Sequence, residues 1–150
     1  MSTTYTIDIK ELKDLTDSLL SLEETDSLLR EIAGSLLADM SDRIHEKGLK
    51  SDGTQIGRYA DSYLQFRIKQ GKGDPPSDPK VILFFGGEMQ RDFKILPVGD
   101  NAYGLGYSNT LNFDKANYAE AKYGIIFEPT DEEFQKIEDV AAEFITNTLK

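Results

Sequence analysis

The chain has no cysteine and a single histidine. The first absence removes disulfides, thiolate metal sites, iron–sulfur clusters and thiol nucleophiles, and it leaves the compartment open with a lean toward the cytoplasm. The second removes zinc sites built on several imidazoles. Long apolar runs are missing too: none approaches the roughly 18 residues that a membrane-spanning helix needs. Residues 1–13 are polar, so no signal peptide is expected. Positive charge is scarce. Lys and Arg number 17 against 27 Asp and Glu, for a net charge of −10 and a pI near 4.5. Phosphate binding needs a basic patch, which argues against free nucleic acid as an electrostatic target.

What is present suits one domain. At 150 residues the chain can bury roughly 68–70% of its unfolded surface and build a core without staples. Residues 1–50 hold 11 acids and 6 bases, residues 51–100 hold 7 and 7, and residues 101–150 hold 9 and 4. Twelve of the 15 aromatics lie between Tyr59 and Phe127. Acidic helical ends around a middle rich in strand formers are therefore expected.

Residues 8–22 carry Ile9, Leu12, Leu15, Leu19 and Leu22 near helical period, with Asp8 and Glu11 as a capping pair. A second helix is expected over 27–47, with Leu29, Ile32, Ala33, Leu36, Leu37, Met40 and Ile44 on one stripe and Gly48 at its end. Residues 48–57 are polar, with a turn at Asp52 and Gly53. Tyr59, Tyr63, Phe66 and Ile68 allow either a short helix or an ordered loop. Residues 67–79 (RIKQGKGDPPSDP) read as a loop, with two glycines and three prolines. It opens on Arg67, Lys69 and Lys72, a locally basic patch.

Residues 80–85 (KVILFF) read as a buried central strand ended by Gly86 and Gly87. Residues 92–98 and 102–108 read as two strands of a hairpin. One or two helical turns are expected over 117–122, and 123–127 (YGIIF) is either a last strand or a packed loop. The last helix, 130–149, has a capping box in Thr130 and Glu133, then Phe134, Ile137, Val140, Ala141, Phe144 and Ile145 on one stripe. The expected fold is α+β, with N-terminal helices and a C-terminal helix packed on a small, mostly antiparallel sheet. Ile32, Leu36, Met40, Phe134, Ile137 and Phe144 should carry the packing.

No catalytic constellation assembles from these residues. The carboxylates lie mostly on outward helix faces, where charge solvates the surface. His45 reads as a surface histidine beside Asp42 and Glu46, and no G-x-S-x-G elbow exists to supply a nucleophile. Gly71-Lys72-Gly73 lacks the rest of a phosphate-binding loop, and Gly104-Leu105-Gly106 sits in a strand-like run. Asp52-Gly53 lacks the alternating acids of a calcium loop. The Arg67, Lys69 and Lys72 patch either meets an acidic partner or is a solvated loop. A non-enzyme without metal or cofactor is expected.

Three segments resemble the tail-completion and virion-morphogenesis proteins of tailed bacteriophages. Residues 44–59 (IHEKGLKSDGTQIGRY) are similar to the stretch after that family's long helix, with Asp52, Gly53, Ile56 or Tyr59, then Ser62 and Arg67 at its marked positions. Residues 80–89 (KVILFFGGEM) resemble its strand followed by Thr-Gly-x-Leu, with Gly86 for the threonine, Gly87 matching and Met89 for the leucine. Residues 118–127 (YAEAKYGIIF) are similar to its Tyr-Ala, spacer, aromatic-Gly signature, which ends on Tyr123 and Gly124. The likeness spans about residues 27–149 of the chain in order. It departs before the last helix, where the family carries Pro-x-Arg-x-Phe and this chain has Phe127-Glu128-Pro129-Thr130. Residues 1–25 have no counterpart and read as an extra helix.

The resemblance implies a structural virion protein of the neck or upper tail, made in the host cytoplasm and assembled as a ring of identical subunits. Its partners would be copies of itself and neighbouring connector or tail proteins, with DNA passing through the lumen unbound and no membrane involved. The 67–79 loop, with Arg67, Lys69, Lys72, Pro75 and Pro76, would be the subunit contact. The alternative is a monomeric acidic adaptor or inhibitor that binds a basic protein; an acid-dependent hydrolase has the weakest support.

Overall fold

The computed structural model describes residues 5–7, 21–72, 75–84, 86–100 and 102–149. Strand β1 (Tyr5–Ile7) is followed by helix α1 (Leu22–Ser41), which runs into a π-helical turn over Asp42–Glu46. Then come α2 (Asp61–Gln70), α3 (Glu88–Asp92), β2 (Phe93–Gly99), β3 (Ala102–Tyr107), α4 (Thr110–Tyr123) and α5 (Asp131–Thr148). The fold is α+β, as expected.

The sheet is antiparallel throughout, in the order β1-β3-β2. β2 and β3 form the expected hairpin, in which Phe93 faces Tyr107 and Ile95 faces Leu105. Cross-strand partners share a face, so these four side chains form one apolar surface, and α1 lies against it. The helix meets it with Leu28, Ile32, Ala33, Leu36 and Met40, all essentially inaccessible. Those positions recur at three and four residues, the spacing that puts side chains on one helical face.

α5 packs on α1 and makes the outer layer, so α1 is sandwiched between the sheet and the last helix. Its capping box forms as the sequence implies. Thr130 Oγ1 accepts from the Glu133 N–H at 3.1 Å, and Glu133 Oε2 accepts from the Thr130 N–H at 2.8 Å. Ile137 and Ala141 are buried, with Val140, Phe144 and Ile145 half-buried beside them. Phe134 departs from the expected stripe and stands 39% exposed. Its azimuth matches the stripe, since it is one turn from Ile137, but it sits in the opening turn of α5, at the end of the helix.

Several boundaries differ from the sequence reading. α1 starts five residues earlier than expected, with Ser21 Oγ accepting from the Glu24 N–H at 3.1 Å as N-cap. Residues 5–7 are strand, not part of an extra N-terminal helix; the helix expected over 8–22 falls mostly outside the described residues. The turns expected at 117–122 belong to the 14-residue α4. Residues 124–127 are a packed loop.

The largest correction concerns residues 80–85. Residues 80–84 form no strand beyond an isolated Lys80–Arg58 bridge, Leu83 takes φ +50, and Phe85 is outside the described residues. The apolar run is nevertheless packed: Val81 is buried and Leu83 lies against the core. Its backbone groups find other partners, as buried amides must. The Val81 N–H donates to Gly57 O at 2.9 Å, Leu83 O faces His45 Nδ1 at 3.3 Å, and Phe84 O accepts from Arg67 Nη2 at 2.8 Å. Gly48 makes this crossing possible, because a Cβ there would lie 2.4 Å from Val81 O.

Candidate functional site

An open cleft of about 510 Å³ lies among α2, α4 and the 81–89 segment. Its buried lining residues are Arg67, Val81 and Ala119. Tyr59, Tyr63, Phe84, Tyr118 and Tyr123 supply aromatic wall, with Leu83 and Met89 between them. Lys115 and Lys122 bring cations to it and Glu88 brings an acid. Lys115 Nζ is 4.0 Å from Glu88 Oε2, and Lys122 Nζ lies 5.1 Å from the Tyr123 ring centre.

Arg67 organises one wall. It was expected in an exposed basic loop; instead it occupies the last turn of α2 and is only 2% exposed. Its guanidinium sits 4.5 Å from the Tyr59 ring centre and 5.9 Å from that of Tyr63. The two tyrosine rings are 5.2 Å apart, and Tyr63 continues to Phe66 at 6.1 Å. A planar cation stacked on aromatic faces fixes the wall and brings its charge to the cleft floor without long exposed arms. Burial raises the pKa of the Tyr59 hydroxyl above its ordinary value, so it stays protonated at neutral pH.

The other expected site residues divide. Tyr59, Met89 and Tyr123 line the cleft together with Arg67. Gly87 caps α3 with φ +81, next to the lining residue Gly86, and Gly124 ends α4 with φ +102. Such angles favour glycine. Asp52 and Gly53 form a separate turn in which Asp52 Oδ1 accepts from the Thr54 N–H at 2.9 Å and from Thr54 Oγ1 at 2.6 Å. Lys69 is exposed on α2, Lys72 is half-buried, Pro75 is exposed and Pro76 is half-buried. The expected long loop is shorter than the sequence suggests: residues 67–70 are helix, Gly71 is its C-cap, and Gly73 and Asp74 are outside the described residues. Tyr118, which opens the third of the resembling segments, also lines the site, and so do Tyr63, Lys115 and Lys122, to which the sequence assigns no site role. On α4 the signal is the helical spacing of 115, 118 and 122, which a helix beginning only at 117 hides.

His45 is not a surface residue. It is 1% exposed in the π-turn, with Nδ1 against Leu83 O and the Tyr107 hydroxyl 3.4 Å from Nε2. Desolvation lowers its pKa to about 4, against a weaker opposing pull from the Leu83 and Ile82 backbone. The same environment raises the Tyr107 pKa far above the ordinary phenol range, chiefly through burial. These groups are sealed in the core and do not line the cleft.

Three other polar groups hold the scaffold. Arg43 Nε donates to Glu133 Oε1 at 2.8 Å, and its remaining nitrogens donate to Leu49 O, Ile126 O and Glu128 O at 3.0–3.1 Å. Arg43 thus ties the turn after α1 to the segment before the last helix. Glu120 Oε1 accepts the N–H groups of Ile126 and Phe127. Asp92 is partly desolvated, which pushes its pKa up. Donors from Ser108, the Asn109 N–H and Asn112 overcome that and hold the carboxyl well below its ordinary range.

Among the described residues, no group of three His, Asp or Glu side chains is placed to hold a metal ion, and no helix is long and apolar enough to cross a membrane. Comparison with protein-family models, curated proteins and solved structures finds no match for this chain.

Proposed function

We propose that the chain is a structural subunit of a tailed-bacteriophage neck or upper-tail ring, acting by subunit contact and not by catalysis. One observation carries this reading: the three separated segments that resemble tail-completion proteins meet at a single cleft. Tyr59 comes from the first, Met89 from the second and Tyr123 from the third. At that cleft stand lining side chains that remain largely exposed, notably Tyr63 on α2 and Tyr118 on α4. Apolar groups gathered at the rim of an open groove mark an interaction surface. An acidic adaptor would need its negative faces but has no use for an aromatic cleft. An acidic exterior also suits a channel through which DNA slides without adhering.

The reading is tested in particles. A phage carrying this gene with an early stop codon should accumulate filled heads and free tails, with joining restored by the gene in trans. Electron microscopy of complete virions should place the chain in a ring at the neck. Intact, infectious particles made without the gene product would overturn the proposal.

A further inference from the structure

α4 and α5 carry complementary stripes. On α4, Lys115, Tyr118 and Lys122 are all exposed, Tyr118 to 68%, and all three line the cleft. On α5, Asp131, Phe134 and Glu138 are all exposed, Phe134 to 39%. Both sets have the spacing i, i+3, i+7, which keeps the members on one helical face. At 1.5 Å per residue, each stripe spans about 10 Å. One reads cation, aromatic, cation, and the other reads acid, aromatic, acid. No cleft-lining residue comes from α1 or α5, so the two stripes are distinct surfaces.

We propose that Lys115, Tyr118 and Lys122 of one copy dock on Asp131, Phe134 and Glu138 of a second copy. The inference rests on the ring reading above and names the contact that would build the ring. Matched stripes place each lysine near a carboxylate and one aromatic ring against the other, so the pairing fixes register as well as sign. Two different patches meeting head to tail make a heterologous contact, the type that closes into a ring when the rotation between subunits allows it. The pair between Lys115 and Glu88 is solvent-exposed on both sides, so it is weak and Lys115 can exchange partners.

Sedimentation velocity on the full chain at rising concentration and low salt tests the contact. Wild-type protein should self-associate, and added salt should weaken the association. The variants K115E/K122E and D131K/E138K should each weaken it on the order of 100-fold, because like charges then face each other. Mixing the two variants in equal amounts should restore assembly, and so should the four-fold reversal within one chain. Unchanged thermal melting of each variant shows that the fold is intact. Wild-type association that neither double variant affects would overturn this contact while leaving a ring built through another surface. A wild-type chain that stays monomeric throughout would also overturn the contact, whereas the ring reading itself is decided by the particle experiment.

Discussion

His45 holds a neutral imidazole against a carbonyl and a phenol, and that has a pH consequence. Its pKa is about 4 when folded and about 6.5 when exposed. Above pH 6.5 neither state binds the proton, and stability is at its full value. Between pH 6.5 and 4 the unfolded chain takes up the proton first, so stability falls; below pH 4 this loss is complete at about 3 kcal/mol. We expect urea unfolding of wild type and His45→Gln to show a stability difference that changes over that window, and a constant difference would sink the assignment. Arg43 and Glu133 are the second residue-scale test. Glu133→Ala leaves a buried guanidinium without its carboxylate and removes half of a capping box, so a cost of about 3–5 kcal/mol is expected in the same assay. Neither role was visible from local sequence. His45 sits between Asp42 and Glu46, and Arg43 next to Asp42, neighbours that suggest an outward face. The π-turn adds a residue to the helical repeat and rotates Arg43, Ile44 and His45 inward together.

At the scale of elements, legibility followed periodicity. α1 and α5 were readable because their apolar residues recur at three and four, and the hairpin because a turn separates two β-rich runs. Leu36 and Phe134 give a direct comparison. Leu36→Ala should cost about 2–5 kcal/mol, since it empties a fully buried site between α1 and the sheet. Phe134→Ala should cost well under that, being partly in solvent, and equal losses in melting would contradict the layer order. The 80–85 run misled because an apolar stretch such as Val81, Ile82, Leu83 and Phe84 is also what a packed crossing loop requires. What decided its state was distant: His45 and Arg67 occupy the carbonyls that a strand would offer to a neighbour. The cleft was half-legible for a related reason. Tyr59, Met89 and Tyr123 could be singled out one by one, but they stand before α2, on α3 and at the end of α4, and only the packing of those elements brings them together. Arg67 looked like a loop cation because three prolines and two glycines follow it closely, yet Gly71 stops α2 only after the arginine has been turned inward.

Across the whole molecule, charge is segregated: α5 carries Asp131, Glu132, Glu133, Glu138, Asp139 and Glu143 against Lys136, while the cleft brings Arg67, Lys115 and Lys122 together. A protein of net charge −10 should therefore still bind small acidic probes at one place. Titrating a short acidic peptide that contains one phenylalanine should shift the NMR signals of Lys115, Tyr118 and Lys122 and leave those of α1 unmoved. Shifts spread evenly over the surface would argue against a localised cationic cleft. The sheet order has a different kind of consequence. β3 is the central strand, paired with β2 along its length and with β1 over Tyr103, Gly104 and Leu105, and its last four residues are buried. Each of its amide hydrogens points to one neighbouring strand, so those bonded to β2 exchange only after the buried hairpin interface opens. Deuterium should therefore enter the amides that bond β3 to β2 last, near the rate of global unfolding, while the outward-facing amides of β2 and the ends of α5 label early. The protein would keep a record of its own opening order, written from the rim inward to one six-residue strand.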